Sequence, residues 1–367
     1  MRRWRWRRRG TPGKPQKGNE DIDSPGDFHV AAHSSRGGGS CQTKSATLDV
    51  LRWYISVRQE SCLENVVSVG CVCKRKNRFM KRIALFLVNG ILILAVAEAG
   101  PTVATKDKPW VNSLGMKFVP VKGTAVLFSI WDTRVQDFEA FVKATGHDAM
   151  RAMYSVREDG DRQHGDTWKS PGFIQGPTHP VCGVSWKDAK AFCKWLTEKD
   201  HAEGRLAAGQ EYRLPTDTEW SVAVGLGPEI GNTPAQKSGK IKDVYPWGTQ
   251  WPPPHGAGNY AGEESKQGVP PNWKAIAGYN DSYPRTSPVG SFDANQFGLY
   301  DMGGNLWQWC EDLYQPDKEL RVLRGASWEL IIPRYMLSSC RDCDGPSSRS
   351  SSYGFRCVVV VGSFPSR

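Results

Sequence analysis

Four short signatures follow one another in a fixed order in the last third of this chain, and two more precede them. The six signatures lie at 179–186, 213–220, 297–309, 324–328, 338–341 and 354–357. The first reads His-Pro-Val-Cys-Gly-Val-Ser-Trp and the last Gly-Phe-Arg-Cys, with Arg-Gly-Ala-Ser-Trp and Ser-Ser-Cys-Arg between them. Each is short, but their common order and spacing restrict the fold more than any other feature of the sequence.

Together the signatures resemble the formylglycine-generating enzyme family, which carries the sulfatase-modifying factor domain. The resemblance spans about 112 to 361. It implies an α+β fold, namely an elaborated C-type lectin-like domain in which loops outweigh helices and strands. We find no internal repeat or long linker after residue 100, and we therefore expect one domain over 100–367.

The net charge of +10 is concentrated at the start of the chain. Residues 1–79 hold 16 basic and 7 acidic side chains, which leaves 32 basic and 31 acidic ones in the rest. A nucleic-acid-binding domain carries a basic surface. The nearly neutral remainder therefore gives no reason to expect a nucleic-acid partner.

Residues 80–99 are typical of a signal peptide. Lys81 and Arg82 precede an apolar run over 83–96, and small residues follow at the spacing of a cleavage site. The run is shorter than the roughly 20 residues that cross a bilayer. We expect export to the periplasm or the medium and no stable span in the mature chain. Retention by this apolar segment is the alternative.

Residues 1–79 precede that signal and are rich in Gly, Ser and charge. Such a composition predicts disorder. We interpret the segment as a leader upstream of a true start at Met80. The arginine- and tryptophan-rich first nine residues leave a second interpretation open, a cationic arm that binds membranes or nucleic acid.

Periodicity and capping residues predict a few regular elements. The alternation over 112–121 predicts an opening strand. Asp132 and Thr133 are placed to cap a helix that Gly146 ends, and further helices are expected after Ser185 and Thr216. From 228 to 300 Gly, Pro, Asn and aromatic residues dominate, and long irregular segments of this kind are usually functional or stabilised by an ion.

The resemblance implies two calcium sites. The first takes the side chains of Asn259 and Asp281 and the carbonyls of Tyr260 and Tyr283. Calcium prefers such carboxylate, amide and carbonyl oxygens. The alternative is that Asn259 and Asp281 merely cap turns.

The second implied calcium site involves Asn305 and Gln308. The family has Glu at the second position, so Gln308 removes one negative charge and should weaken binding. Equally, the segment could be purely structural.

The resemblance also locates an oxidase centre whose ligands are missing. In active members two cysteines that bind copper follow the Gly-Ala-Ser segment, and those positions fall on Leu330 and Tyr335. Copper(I) is held by thiolates, which neither residue supplies. We therefore expect no copper and no catalytic residue here, and Ser327, Leu330 and Tyr335 remain as candidates for lining a cleft.

Six cysteines follow Met80, an even number that suits an oxidising compartment. The resemblance pairs Cys193 with Cys357 in a disulfide, which would close a long loop and add roughly 4–5 kcal/mol of stability. For Cys182, Cys310, Cys340 and Cys343 the sequence leaves two interpretations open. They form structural bridges in some pairing, or Cys340 and Cys343 form a redox pair.

Two functions of different class follow. The first is an exported scaffold with a calcium-stabilised fold that binds a peptide, a glycan or a cell-envelope protein at the cleft. The second is a working oxidase that converts a sulfatase cysteine to formylglycine. Family resemblance alone does not carry activity with it, and the missing cysteines favour the first.

Overall fold

The computed structural model describes residues 100–267, 269 and 272–361. The predicted leader at 1–79 and the predicted signal peptide at 80–99 lie outside these residues. Within them, no helix combines the length and the apolar character that crossing a membrane requires.

Short strands and few helices make up the described chain, which confirms the predicted α+β class. The helices are α1 (Val135–Thr145), α2 (Trp186–Ala202), α3 (Asp217–Val224), α4 (Pro234–Lys237) and α5 (Pro333–Met336). The strands are β1 (Trp110–Val111), β2 (Lys117–Pro120), β3 (Val126–Ser129), β4 (Met153–Val156), β5 (Arg162–Asp166), β6 (Glu211–Arg213), β7 (Trp307–Leu313), β8 (Arg321–Arg324), β9 (Asp342–Asp344), β10 (Tyr353–Gly354) and β11 (Val358–Val360).

Two sheets organise these strands. The larger has the order β1-β2-β3-β11-β6 and is antiparallel throughout, so the last strand of the domain pairs between two early ones. The second has the order β10-β7-β8-β9, with a parallel pair between β10 and β7. A separate hairpin joins β4 to β5. The signatures at 297–309 and 354–357 thus lead into the centres of both sheets.

The predicted opening strand over 112–121 is present only in its second half, as β2, because 112–116 form a turn and β1 lies before the predicted range. The side-chain oxygen of Asn112 accepts hydrogen bonds from the backbone N–H groups of Leu114 and Met116, at 3.0 and 2.9 Å. Gly115 has φ of 74°, a conformation that glycine adopts at little cost. This turn separates β1 from β2, which then pair with each other.

The start of α1 differs from its prediction, whereas its end is confirmed. Arg134, not Asp132 or Thr133, is the N-cap residue, and the Asp137 carboxylate accepts a hydrogen bond from the Arg134 backbone N–H. Asp132 is fully buried and forms an ion pair with Arg356 at 3.2 Å, so it is not free to cap. The helix ends at Gly146 in the left-handed conformation, as expected.

Both capping boxes predicted for the later helices are present. Ser185 accepts from the backbone N–H of Asp188 at the start of α2. The Thr216 hydroxyl accepts a hydrogen bond from the backbone N–H of Glu219 at the start of α3. Each cap satisfies N–H groups that the first turn of a helix leaves without partners.

The irregular stretch from 228 to 300 is confirmed. In its described part the structure forms only α4 and a single 3₁₀ turn, Glu263–Lys266. Aromatic packing holds the loops: the Tyr245 and Trp247 rings stack at 4.8 Å, and Trp247 meets Tyr260 edge-on at 5.2 Å. Large aromatic contacts of this kind supply buried area where regular elements are absent.

Candidate functional site

The Gly-Ala-Ser-Trp signature forms a tight turn directly after β8. Gly325 and Ala326 have φ of 97° and 64°, and Ser327 and Trp328 are completely or almost completely buried. The Trp328 indole donates to the Ser351 carbonyl at 3.2 Å. The Ser327 hydroxyl has no hydrogen-bond partner, which is costly for a buried polar group. The turn therefore directs the following residues toward the surface while Ser327 stays beneath it.

Leu330 lies in the wall of a surface cavity of about 630 Å³. The cavity is lined by Gly160, Arg162, Asn272, Trp273, Lys274, Glu329, Leu330, Ile331 and Ile332. Three consecutive apolar side chains form one side of it, and Ile332 is 40% exposed. A concave surface that combines apolar walls with a few polar groups is typical of ligand sites.

The structure does not bring all three predicted cleft residues to this cavity. Tyr335 lies in α5, packs half-buried against the main core and receives a hydrogen bond from Arg334 on its hydroxyl at 2.9 Å. The Arg334 guanidinium also lies 4.7 Å from the centre of its ring. Among the described residues that line the cavity, only Leu330 belongs to the predicted set.

A ladder of alternating arginine and tryptophan side chains leads from this cavity into the core. The Arg162 and Arg285 guanidinium groups lie 5.8 and 5.7 Å from the Trp273 ring, and Arg285 lies 5.1 Å from Trp328. Cation–π contacts of this kind strengthen when they are desolvated. Sequence reasoning missed the ladder because its members are far apart in the chain and no local pattern joins them.

Arg285 is the buried centre of that ladder. Its guanidinium donates to the carbonyls of Arg157 and Glu158, at 2.6 and 2.8 Å. Burial lowers its pKa from the ordinary arginine value. Because it links the β4–β5 hairpin to Trp328, it fixes one wall of the cavity relative to the core.

The residues of the first predicted calcium site lie together. The Asp281 carboxylate accepts from the backbone N–H groups of Tyr260 and Tyr283, at 2.8 and 2.9 Å. Asn259 is fully buried, and its side-chain oxygen has no hydrogen-bond partner. Burial raises the pKa of Asp281 to about 8. A half-buried carboxylate without a cationic partner, beside an unpaired amide oxygen, is a donor set that suits a hard cation.

Glu264 belongs to the same cluster and was not predicted. Its two carboxylate oxygens accept from the N–H groups of Gly262 and Asp281, at 3.0 and 3.2 Å. It is buried, and burial raises its pKa. A Cβ on Gly262 would stand 2.6 Å from this carboxylate, so only glycine permits the approach. Among the described residues, no group of three or more His, Cys, Asp or Glu side chains is placed to hold a metal ion.

The second predicted calcium site is not supported by the geometry. The Gln308 amide oxygen accepts from the Trp220 indole at 2.9 Å and from Arg356 at 2.7 Å, while its NH₂ group donates to the Asp301 carbonyl. Asn305 is engaged in the same way, since its oxygen accepts from the Ser287 backbone N–H at 3.1 Å. Both lone pairs of the Gln308 oxygen are therefore used. The positively charged guanidinium of Arg356 beside this oxygen would also repel a metal cation.

The arginines of two signatures meet in a buried ion network. Arg324 and Arg341 both contact the Asp217 carboxylate, and Arg341 also contacts Glu229. The two arginine side chains are completely buried and the two acids nearly so. Two positive and two negative charges balance within this network, which indicates a structural role for the Ser-Ser-Cys-Arg segment.

The six described cysteines are all free thiols in this structure. Cys193 and Cys357 are buried with their sulfur atoms 3.6 Å apart. A disulfide bond is about 2.05 Å long, so the pair is in contact but not bonded. The predicted disulfide stays a prediction, between two thiols that the fold brings together.

The other four cysteines do not form the bridges that one interpretation expected. Cys182, Cys310 and Cys340 pack in three different hydrophobic clusters, and Cys343 lies in the edge strand β9. Cys182 donates to the Gln175 side chain and Cys310 to the Gln308 carbonyl. Cys182, Cys310 and Cys340 are therefore buried among different neighbours.

Residues 116–361 match the family model of the sulfatase-modifying factor enzyme 1-like domain. The match covers more than half of the chain. The chain belongs to this family. The resemblance drawn from the signatures is thereby confirmed, together with the elaborated C-type lectin-like fold that it implied.

Relatives in this family differ in what their names state. An inactive C-alpha-formylglycine-generating enzyme 2 of Bos taurus is 32% identical over 209 residues, which cover 54% of this chain and 58% of the relative. A formylglycine-generating enzyme of Thermomonospora curvata is 28% identical over 271 residues, which cover 61% of this chain and 78% of the relative. The solved structure of PvdO from Pseudomonas aeruginosa is 24% identical in sequence. The match covers 64% of this chain and 80% of the PvdO chain, with a TM-score of 0.43. The chain spans a little over half of the length of the bovine relative.

Proposed function

We propose that this sulfatase-modifying-factor domain is a binding module without oxidase activity, and that it engages its partner through the cavity beside Leu330. One observation carries the proposal. Leu330 and Tyr335 occupy the two positions that the family resemblance assigns to the copper cysteines of active members. An aliphatic side chain and a phenol cannot replace the thiolates that copper(I) requires.

The remaining cysteines near this region do not compensate for that loss. Burial raises the pKa of Cys340 to about 11 and that of Cys343 to about 12. Reactive and metal-binding cysteines instead have a lowered thiol pKa, because the thiolate is the active form. The redox interpretation of Cys340 and Cys343 therefore has little chemical support, whereas a relative named as an inactive formylglycine-generating enzyme supports the lack of oxidase activity.

The cavity itself suits a short segment of a polypeptide or glycan. Leu330, Ile331 and Ile332 offer apolar contact, and Arg162 and Glu329 form an ion pair at 3.6 Å across its polar side. We assign the partner to the exported compartment, as a peptide, a glycan or a protein of the cell envelope. The assignment depends on the apolar signal-like run at 83–96.

Oxygen consumption tests the proposal. The purified protein, loaded with copper(I) and supplied with a thiol reductant, is expected to take up oxygen at the rate of the same mixture without protein. The Leu330→Cys/Tyr335→Cys double variant is a useful comparison, since it returns both sulfur ligands. Copper-dependent oxygen uptake by the unaltered chain would contradict the proposal and favour the oxidase.

We also propose that calcium stabilises the domain through Asn259, Asp281 and Glu264, with the carbonyls of Tyr260 and Tyr283. The support is the buried unpaired oxygen of Asn259 beside the buried carboxylate of Glu264 and the half-buried one of Asp281. Calcium bound there would neutralise charge that the fold otherwise leaves uncompensated.

Calcium is therefore expected to raise the midpoint of thermal unfolding. A ligand present at 100 times its dissociation constant adds about 2.7 kcal/mol to the stability of the native state. Asp281→Asn and Glu264→Gln should remove most of the response, and Glu263→Gln, at the half-buried neighbouring position, should leave it intact. A midpoint that is the same in calcium and in chelator would rule the site out.

A further inference from the structure

A second cavity, of about 280 Å³, lies between two loops of the irregular region and is separate from the one at Leu330. Its wall includes Trp247, His255, Asp293, Asp301 and Gly303. We propose that it binds an organic cation, the ammonium or guanidinium head of a lysine- or arginine-like group. This inference does not depend on the proposed function.

The charges around this cavity have one sign. Asp293 and Asp301 line it, and no lysine or arginine is found among the described lining residues. His255 is exposed and is the one other titratable side chain in that wall. A concave surface with charge of a single sign and low-dielectric walls concentrates ligands of the opposite sign.

The negative charge extends behind the wall. Asp301 is 95% buried and shares one guanidinium, that of Arg356, with Asp132. Neither carboxylate oxygen of Asp132 has a hydrogen-bond partner. Two buried carboxylates therefore face one buried guanidinium, and burial raises the pKa of both, so a positive ligand in the cavity would stabilise their ionised forms. An uncompensated buried charge is costly, which gives a cation a reason to bind at this place.

An unpaired hydroxyl lies beside Gly303, a lining residue of the cavity. Tyr260 is fully buried and its hydroxyl has no hydrogen-bond partner. A Cβ on Gly303 would stand 2.5 Å from that oxygen, and one on Gly256 would stand 2.7 Å from an Asp293 carboxylate oxygen. Glycine at both positions keeps the polar groups close to the cavity surface. The Tyr260 oxygen is thus an unused hydrogen-bond acceptor close to the cavity.

The apolar part of the wall favours an organic cation over a bare metal ion. Trp247, Leu299 and Met302 line the cavity beside the acids. Calcium takes six to eight oxygen ligands, whereas an alkylammonium or alkylguanidinium places a carbon stem against apolar walls and its charged head toward carboxylates. The volume is just below the range typical of drug-sized ligands, which suits a group of side-chain size.

Isothermal titration calorimetry on the full chain tests the inference with two classes of probe. n-Butylammonium chloride represents a free amine, and N-acetyl-arginine amide and N-acetyl-lysine amide represent side chains on a polypeptide. We expect saturable binding of one or both classes. Binding of the free amine indicates a small-molecule ligand, and binding of the amino-acid amides alone indicates a side chain of a partner.

Asp293→Asn is the decisive variant, since this side chain is exposed and its loss should not unfold the domain. It should weaken binding about tenfold, as expected for the loss of a charged hydrogen-bond partner, and Asp161→Asn at an exposed position elsewhere should not. The inference is overturned by the absence of binding heat, by equal affinity for the uncharged N-acetyl-norleucine amide, or by an unchanged affinity of Asp293→Asn. Displacement of both probes by equimolar calcium would also overturn it, because the cavity would then be a metal site.

Discussion

Asp217→Ala is expected to lower the free energy of unfolding by about 3–5 kcal/mol. Asp217 joins the buried guanidinium groups of Arg324 and Arg341, and the Arg341 Nε and Nη2 atoms lie 3.0 Å from its two carboxylate oxygens. Removing the carboxylate leaves Glu229 alone to balance two buried positive charges. Urea-induced unfolding of the variant and the unaltered protein measures the difference.

Asp148→Ala is the matched control. Asp148 also faces an arginine, Arg151, but at 3.9 Å with both side chains exposed. Exposed pairs contribute about 0–1 kcal/mol, so this change should have little effect. Equal destabilisation by the two changes would show that the buried network does not stabilise the fold as its geometry implies.

Oxidation is expected to join Cys193 to Cys357 and to stabilise the domain by about 4–5 kcal/mol. The pair is separated by 164 positions and would close a long loop. Loop closure of this length restricts the unfolded chain strongly. The shift in the unfolding midpoint for a domain of this size should be on the order of 10 °C.

Thiol counting and calorimetry together check that expectation. The oxidised domain should show two fewer alkylated thiols than the reduced one, and a Cys193→Ala/Cys357→Ala variant should unfold at the same temperature under both conditions. The pairing would be wrong if oxidised protein kept both thiols reactive after unfolding, or if a bond joined either cysteine to another partner.

The local elements that the sequence predicted well are those set by short-range chemistry. The capping boxes at Ser185 and Thr216 begin α2 and α3 as expected, and Gly146 ends α1. Each of these depends on residues within four positions of one another. The cap at Asp132 was wrong because a distant residue, Arg356, takes its carboxylate into the core.

The candidate site was predictable only in part for the same reason. Asn259, Asp281 and Leu330 were located by the family resemblance, and in the structure Asn259 is buried, Asp281 is half-buried and Leu330 lines a cavity. Glu264 could not be found, because nothing in its local sequence shows that it folds back onto Gly262. Long-range contacts, not local pattern, decide which acids become buried together.

The role of Gln308 can be understood only from its contacts in the folded structure. The sequence presents it as the loss of one negative charge at a metal site. The structure shows an amide that donates to the Asp301 carbonyl while it accepts from Trp220 and Arg356. A glutamate could not donate to that carbonyl, so the amide suits its surroundings as a structural group.

The mass of a substrate-like peptide tests the central claim most directly. The purified domain would be incubated with copper(I), oxygen and a peptide that contains Cys-x-Pro-x-Arg, beside an active formylglycine-generating enzyme as positive control. The absence of both copper cysteines predicts that the peptide keeps its thiol while the control converts it. Conversion of that thiol to an aldehyde by this chain would contradict the account and would make Cys340 and Cys343 the first residues to replace.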